Sequence, residues 1–118
     1  VPQDWLEIIN EYGGAIPETY GVPVAQIQQG IKFGVRKINI DTDLRLASTG
    51  AIRRYMAMHP AEFDPRKYLQ ESVKAMSEIC IARYQAFGCA GQGSKIKPLS
   101  LDTMVDLYVS GKLTPNIK

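Results

Sequence analysis

Five consecutive residues, Asn39-Ile40-Asp41-Thr42-Asp43, gather the polar groups of this chain best suited to chemistry on a small anionic ligand. Asn39 carries both a donor and an acceptor for a polar substrate group. Thr42 brings a hydroxyl to the point where a helix should begin. There, backbone N–H groups and the helix dipole can join it around a phosphate. With a strand before them, alternation puts Asn39 and Asp41 on one side. Two carboxylates beside a phosphate look unfavourable, so either one caps the helix or points away from the anion. Taken alone, Asp-Thr-Asp is more often a helix N-cap than a binding site. Arg66 is the second candidate, because a guanidinium grips phosphate bidentately. It falls in the first turn of its helix, against the dipole preference for an acidic residue. On position alone, a solvated surface arginine is the simpler reading.

The remaining reactive side chains are few. Cys80 falls on the apolar stripe of a helix and is expected to be a buried free thiol, and Cys89 completes a pair too small for a disulfide scaffold. One histidine, His59, stands before Pro60 at a helix end, where it favours the negative pole. Two cysteines and one histidine at unrelated spacings build no zinc signature. The net charge of +2 over 118 residues is too small and too scattered for a nucleic-acid footprint. With 45% hydrophobic and 22% charged residues the chain is not of the disordered class. It has no apolar run long enough to span a membrane. Its first residues, Val1-Pro2-Gln3-Asp4-Trp5, show no basic-then-apolar leader. A cytoplasmic setting is expected, as is a start partway through a longer protein.

The elements that must position these residues read as helices around one strand. Pro2 opens a helix carrying Trp5, Ile8, Ile9 and Tyr12, stopped by Gly13-Gly14. A loop follows to Val22. Pro23 opens a second helix with Val24, Ile27 and Ile31, ending at Gly34. Val35 to Ile40 is short and β-branched, and it follows a glycine stop, so a strand is expected over about 35–40. A third helix runs from the Asp41–Asp43 caps to His59-Pro60. The longest helix starts at Asp64-Pro65 and reaches about Ala86, with Leu69, Val73, Met76, Cys80, Tyr84 and Phe87 forecast as its buried face. After a flexible stretch to Pro98, Ser100 caps a last short helix that Gly111 ends. A lone strand has no ladder partner. Helix, strand, helix is the rhythm of a βα repeat, whose other strands are expected before Val1.

The string Gly34-Val35-Arg36-Lys37-Ile38-Asn39-Ile40-Asp41-Thr42-Asp43-Leu44-Arg45-Leu46-Ala47 resembles the eighth strand and following turn of class II, metal-dependent fructose-1,6-bisphosphate aldolases. Gly21-Val22-Pro23 resembles the lead-in to that strand, and Phe63-Asp64-Pro65-Arg66-Lys67 the start of the C-terminal helix. Gly14-Ala15-Ile16-Pro17-Glu18-Thr19-Tyr20-Gly21 is most similar to the Calvin-cycle type of the bacterial enzymes. The resemblance covers about residues 1–92, with 93–118 matched only loosely, as an extension used in subunit contacts.

The resemblance implies an α/β fold, the C-terminal segment of a (β/α)8 TIM barrel: the last strand with its flanking and C-terminal helices. A barrel needs about 250 residues, so most of it would precede Val1. It implies a lyase that reversibly cleaves fructose 1,6-bisphosphate to dihydroxyacetone phosphate and glyceraldehyde 3-phosphate through a metal-stabilised enediolate. The Zn2+ ligands and the acid/base aspartate would lie upstream of Val1, and His59 matches none of them, so the chain alone is expected to be inactive. Asn39 would hydrogen-bond the dihydroxyacetone phosphate unit. Asp41 and Thr42 would help hold the C1 phosphate, and Arg66 would bind the C6 phosphate, in a neighbouring subunit's site. Asp43 would cap the helix, and Arg45 has no assigned role. A homodimer or homotetramer is implied. Two alternatives stand beside this reading: a non-catalytic helical interaction module, and a class II aldolase acting on tagatose or sedoheptulose bisphosphate.

Overall fold

Proline and glycine punctuate the chain where the sequence places them. In the computed structural model, which describes residues 2–115, Pro2 and Pro23 immediately precede helices α1 (Gln3–Glu11) and α2 (Val24–Lys32). Helix α3 spans Thr42–Met58, α4 Pro65–Ala86 and α5 Leu101–Val109, with one 3₁₀ turn at Gly93–Lys95. Asp64 caps α4, its side chain accepting from the Arg66 N–H, and Ser100 caps α5 by accepting from Thr103 N–H. Gly34 and Gly88 adopt φ of +107° and +73° just past α2 and α4, left-handed positions that favour glycine. The predicted segments 1–92 and 93–118 reach Val1 and residues 116–118, which lie outside the described residues.

Helix α3 is the centre of the packing, with α1 on one side and α4 on another. Trp5, Leu6 and Ile9 of α1 meet Leu46, Ala47 and Ala51 of α3 and Ala75 of α4 in one buried cluster. Ile9 is fully buried. Gly50 makes the α1–α3 approach possible, because a Cβ there would sit 2.7 Å from Trp5 Cε3. The α3–α4 approach uses small side chains instead. Ser72 and Ala75 are the buried residues of α4, and the Ser48 and Ser72 hydroxyls pair at 2.7 Å.

This corrects two expectations. The forecast buried face of α4 is not buried: Leu69, Val73 and Tyr84 are exposed, and Cys80 is only half-buried. Helices that pack closely favour small residues at the contact, which a search for large apolar positions passes over. The second correction concerns residues 35–40. Among the described residues there is no strand, and no backbone–backbone hydrogen bond involves residues 36–40. A strand exists only as part of a ladder, and no described segment lies alongside to complete one.

The shape reflects this surplus of uncovered surface. The radius of gyration is 19.8 Å, against about 13–14 Å for a compact domain of this length. The accessible surface is 9272 Å², against about 6400 Å² for a compact monomer of this mass.

Candidate functional site

The residues from Asn39 to Asp43 sit where the chain enters α3, on the wall of a cavity of about 670 Å3 that Tyr20, Gly21 and Arg83 also line. Three of the four predicted site residues, Asn39, Asp41 and Thr42, are thus brought together. Arg66 is not among the lining residues.

Each group has a definite setting. Asn39 Oδ1 accepts from Lys37 Nζ, which leaves the Asn39 amide nitrogen free to donate outward. Asp41 occupies the N-cap position at φ −132°, ψ −60°, yet its side chain makes no capping bond. Its Oδ1 instead accepts from Arg45 Nε at 2.8 Å, four residues on. Hydrogen bonding to Asp41, with the attraction of its charge, raises the Arg45 pKa. Thr42 is the first residue of α3 and lines the cavity. Since Asp41 does not cap, it does not occupy the first-turn N–H groups of α3, and those are the donors an anion uses at a helix start.

Asp43 was expected to cap the helix, and here the structure differs. It stands inside the first turn of α3, and its Oδ2 accepts from Arg83 Nη2 at 2.8 Å. Both side chains are mostly buried, at 18% and 17% exposure. The difficulty of two carboxylates beside a phosphate is therefore met locally. Asp41 is paired with Arg45 and Asp43 with Arg83, so neither presents an uncompensated charge to the cavity.

Arg66 lies in the first turn of α4, its side chain 88% exposed and its Nη2 2.6 Å from Asp64 Oδ2. The Arg66 guanidinium and the Arg66 backbone N–H hold the Asp64 carboxyl below the usual carboxylate range.

His59 ends α3. Its Nδ1 lies 3.0 Å from Tyr55 O, and its ring stacks on Tyr55 with centroids 4.2 Å apart. It takes no part in the cavity. Among the described residues no group of three or more His, Cys, Asp or Glu could hold a metal ion.

Two cavity residues escaped the sequence reading. Lys37 is two residues before Asn39, so the alternation that pairs Asn39 with Asp41 would have placed it in line. Arg83 is 40 residues from Asp43, and no local signal connects them. Together the cavity wall carries an amide, a hydroxyl, helix-start N–H groups and the Lys37 cation, donors of the kind that suit an anion. They offer no nucleophile activated by a neighbouring base.

Known proteins carry a similar segment. A family model described as fructose-bisphosphate aldolase class-II matches residues 15–92, which include Asn39, Asp41, Thr42 and Arg66. A fructose-bisphosphate aldolase of Pseudomonas aeruginosa is 68% identical over 117 residues, 99% of this chain and 33% of the relative. A fructose-bisphosphate aldolase class 2 of Synechocystis is 59% identical over 97% of this chain and 32% of the relative. A fructose-bisphosphate aldolase of Sinorhizobium medicae is 52% identical over 100% of this chain and 33% of the relative. The chain thus spans about a third of the length of the curated relatives it matches.

Proposed function

The chain belongs to the class II fructose-bisphosphate aldolase family, and from that premise we propose that it supplies phosphate-binding residues to a lyase that reversibly cleaves fructose 1,6-bisphosphate to dihydroxyacetone phosphate and glyceraldehyde 3-phosphate. The observation that carries this is the meeting of Asn39, Asp41 and Thr42 on one cavity at the uncapped start of α3. Asn39 donates its amide N–H to the dihydroxyacetone phosphate unit. Thr42 Oγ1 and the α3 N–H groups bind the C1 phosphate, with Asp41 contributing through its backbone. Arg66 binds the C6 phosphate, in a neighbouring subunit's site.

Zn2+ and its ligands are placed upstream of Val1 in this reading, and no step is drawn through them; among the described residues no group of three or more His, Cys, Asp or Glu could hold a metal ion. What this segment contributes is binding and orientation, which convert an encounter into a fixed geometry. The architecture proposed for the whole is a (β/α)8 barrel, and its setting is the cytoplasm. Among the described residues no helix is long and apolar enough to cross a membrane. Residues 93–118 form an extension that makes contacts in a homodimer or homotetramer. The apolar exposure of Leu101, Tyr108 and Val109 supports that role.

The test is Asn39→Ala and Arg66→Ala in a chain carrying this segment at the full length of its relatives. Turnover of the bisphosphate is expected to fall sharply in each, and near-wild-type kinetics in both would overturn the assignment. A helical interaction module without catalysis is the second reading, favoured by the exposed Leu69, Val73 and Tyr84 of α4. It requires the 118-residue chain to fold alone as a monomer, which size-exclusion chromatography and circular dichroism would reveal.

A further inference from the structure

We propose that Arg83 is a positioning residue for the phosphate-binding turn, acting through Asp43. The proposal rests on the aldolase reading for its ligand, while its geometry is independent of that reading. Helices α3 and α4 are packed so that the last turn of α4, which carries Arg83, lies against the first turn of α3, which carries Asp43. Each charge is the one that its own helix end prefers: a cation at the C-terminal end of α4 and an anion at the N-terminal end of α3. The Arg83 Nη2 to Asp43 Oδ2 distance of 2.8 Å, with both side chains more than four-fifths buried, makes this a shielded, charge-assisted bond. By contrast, the Arg45–Asp41 pair is open to solvent, at 78% and 69% exposure, and such pairs contribute little.

The location gives the clasp its role. Asp43 is the next residue after Thr42 and two beyond Asp41, and all three line the same cavity as Arg83. The Asp41 side chain does not brace the helix start by capping it. The chain before the turn gives no support either, since residues 36–40 form no backbone–backbone bonds among the described residues. The Arg83–Asp43 bond is therefore a tertiary tie that holds the first turn of α3 against a long, well-formed helix. It sets the direction in which the Thr42 hydroxyl and the α3 N–H groups point. Arg83 need not touch the ligand to do so.

The experiment uses the full-length enzyme carrying this segment, with Arg83→Ala, Arg83→Lys, Asp43→Asn and the Arg83→Ala/Asp43→Asn pair. Two readouts are taken: steady-state kinetics with fructose 1,6-bisphosphate, and amide hydrogen exchange along residues 41–46. In Arg83→Ala, KM is expected to rise about tenfold with a smaller change in kcat, and the double variant should be no worse than the more damaging single one. Exchange should quicken at 41–46 while the middle of α4 keeps its protection, and Arg83→Lys should recover part of both effects. Unchanged KM together with unchanged exchange would overturn the proposal. So would exchange that quickens uniformly along α3 and α4 with Arg83→Lys no better than Arg83→Ala, since that is a general loss of packing. A wild-type enzyme that does not turn over the bisphosphate would overturn the aldolase reading alone, and exchange at 41–46 would still decide the tie.

Discussion

Arg66 folds back onto Asp64, the residue that caps its own helix. Its Nε lies 3.0 Å from both carboxylate oxygens, its Nη2 2.6 Å from Oδ2, and its backbone N–H 3.0 Å from Oδ1. One carboxylate therefore both starts α4 and holds the guanidinium. The two duties separate by substitution. Asp64→Asn keeps a good cap and gives up the ion pair, whereas Asp64→Ala gives up both. Helicity by circular dichroism should stay near wild type in Asp64→Asn and fall in Asp64→Ala.

Acid should loosen the same place. The Arg66 guanidinium and N–H lower the native pKa of Asp64 below its unfolded value. Its contribution to stability is therefore complete above the ordinary aspartate range, about pH 3.9, and is lost as the pH falls through the lower native value. Stability measured by denaturant titration from about pH 6 down to about pH 2 should decline in the wild type. Asp64→Asn should remove this residue's share of that decline.

Gly50→Ala sets two effects against each other. Alanine favours a helix interior by about 1 kcal/mol over glycine. Its Cβ, however, would lie 2.7 Å from Trp5 Cε3 and 3.4 Å from Ile9 Cγ1, inside the buried cluster. Overpacking of that kind costs about 1–3 kcal/mol. Net destabilisation is expected by thermal melting. Gly93→Ala meets nothing within 4 Å and should stay within about 0.5 kcal/mol of wild type.

Helix α5 depends on its own ends. The prominent helix packing in the described structure is α1 on α3 and α3 on α4, without α5. A helix of nine residues is marginal by propensity alone. Ser100 accepts from Thr103 N–H at 3.2 Å and pairs with the Thr103 hydroxyl at 2.8 Å. Ser100→Ala should cost about 1 kcal/mol of local stability, visible as faster exchange and earlier proteolysis within 101–109.

These elements show how far the sequence could be read. Helix limits at Pro23, Asp64-Pro65, Gly34 and Ser100 were legible because caps and left-handed stops act within one turn. The cluster of Asn39, Asp41 and Thr42 was legible because the residues are nearly contiguous. Three things were not, and each depends on a distant partner. The strand forecast at 35–40 needs a ladder from another segment. The buried line of α4 is chosen by α3, which selects Ser72 and Ala75 over Leu69 and Val73. The role of Asp43 is decided by Arg83, forty residues away.

The unpaired stretch at 36–40 has a consequence for handling the isolated chain. Its flanks open onto two cavities of about 570 and 670 Å3 that share Val35, Lys37, Ile38, Ile40 and Arg83. Apolar side chains beside backbone groups that pair with no other backbone among the described residues make a template for edge-to-edge association of copies. Arg36 and Lys37 stand at the head of that stretch, where repulsion between like charges opposes in-register stacking. Colloidal behaviour should therefore worsen with added salt, which screens those two cations, well before the helices lose any structure.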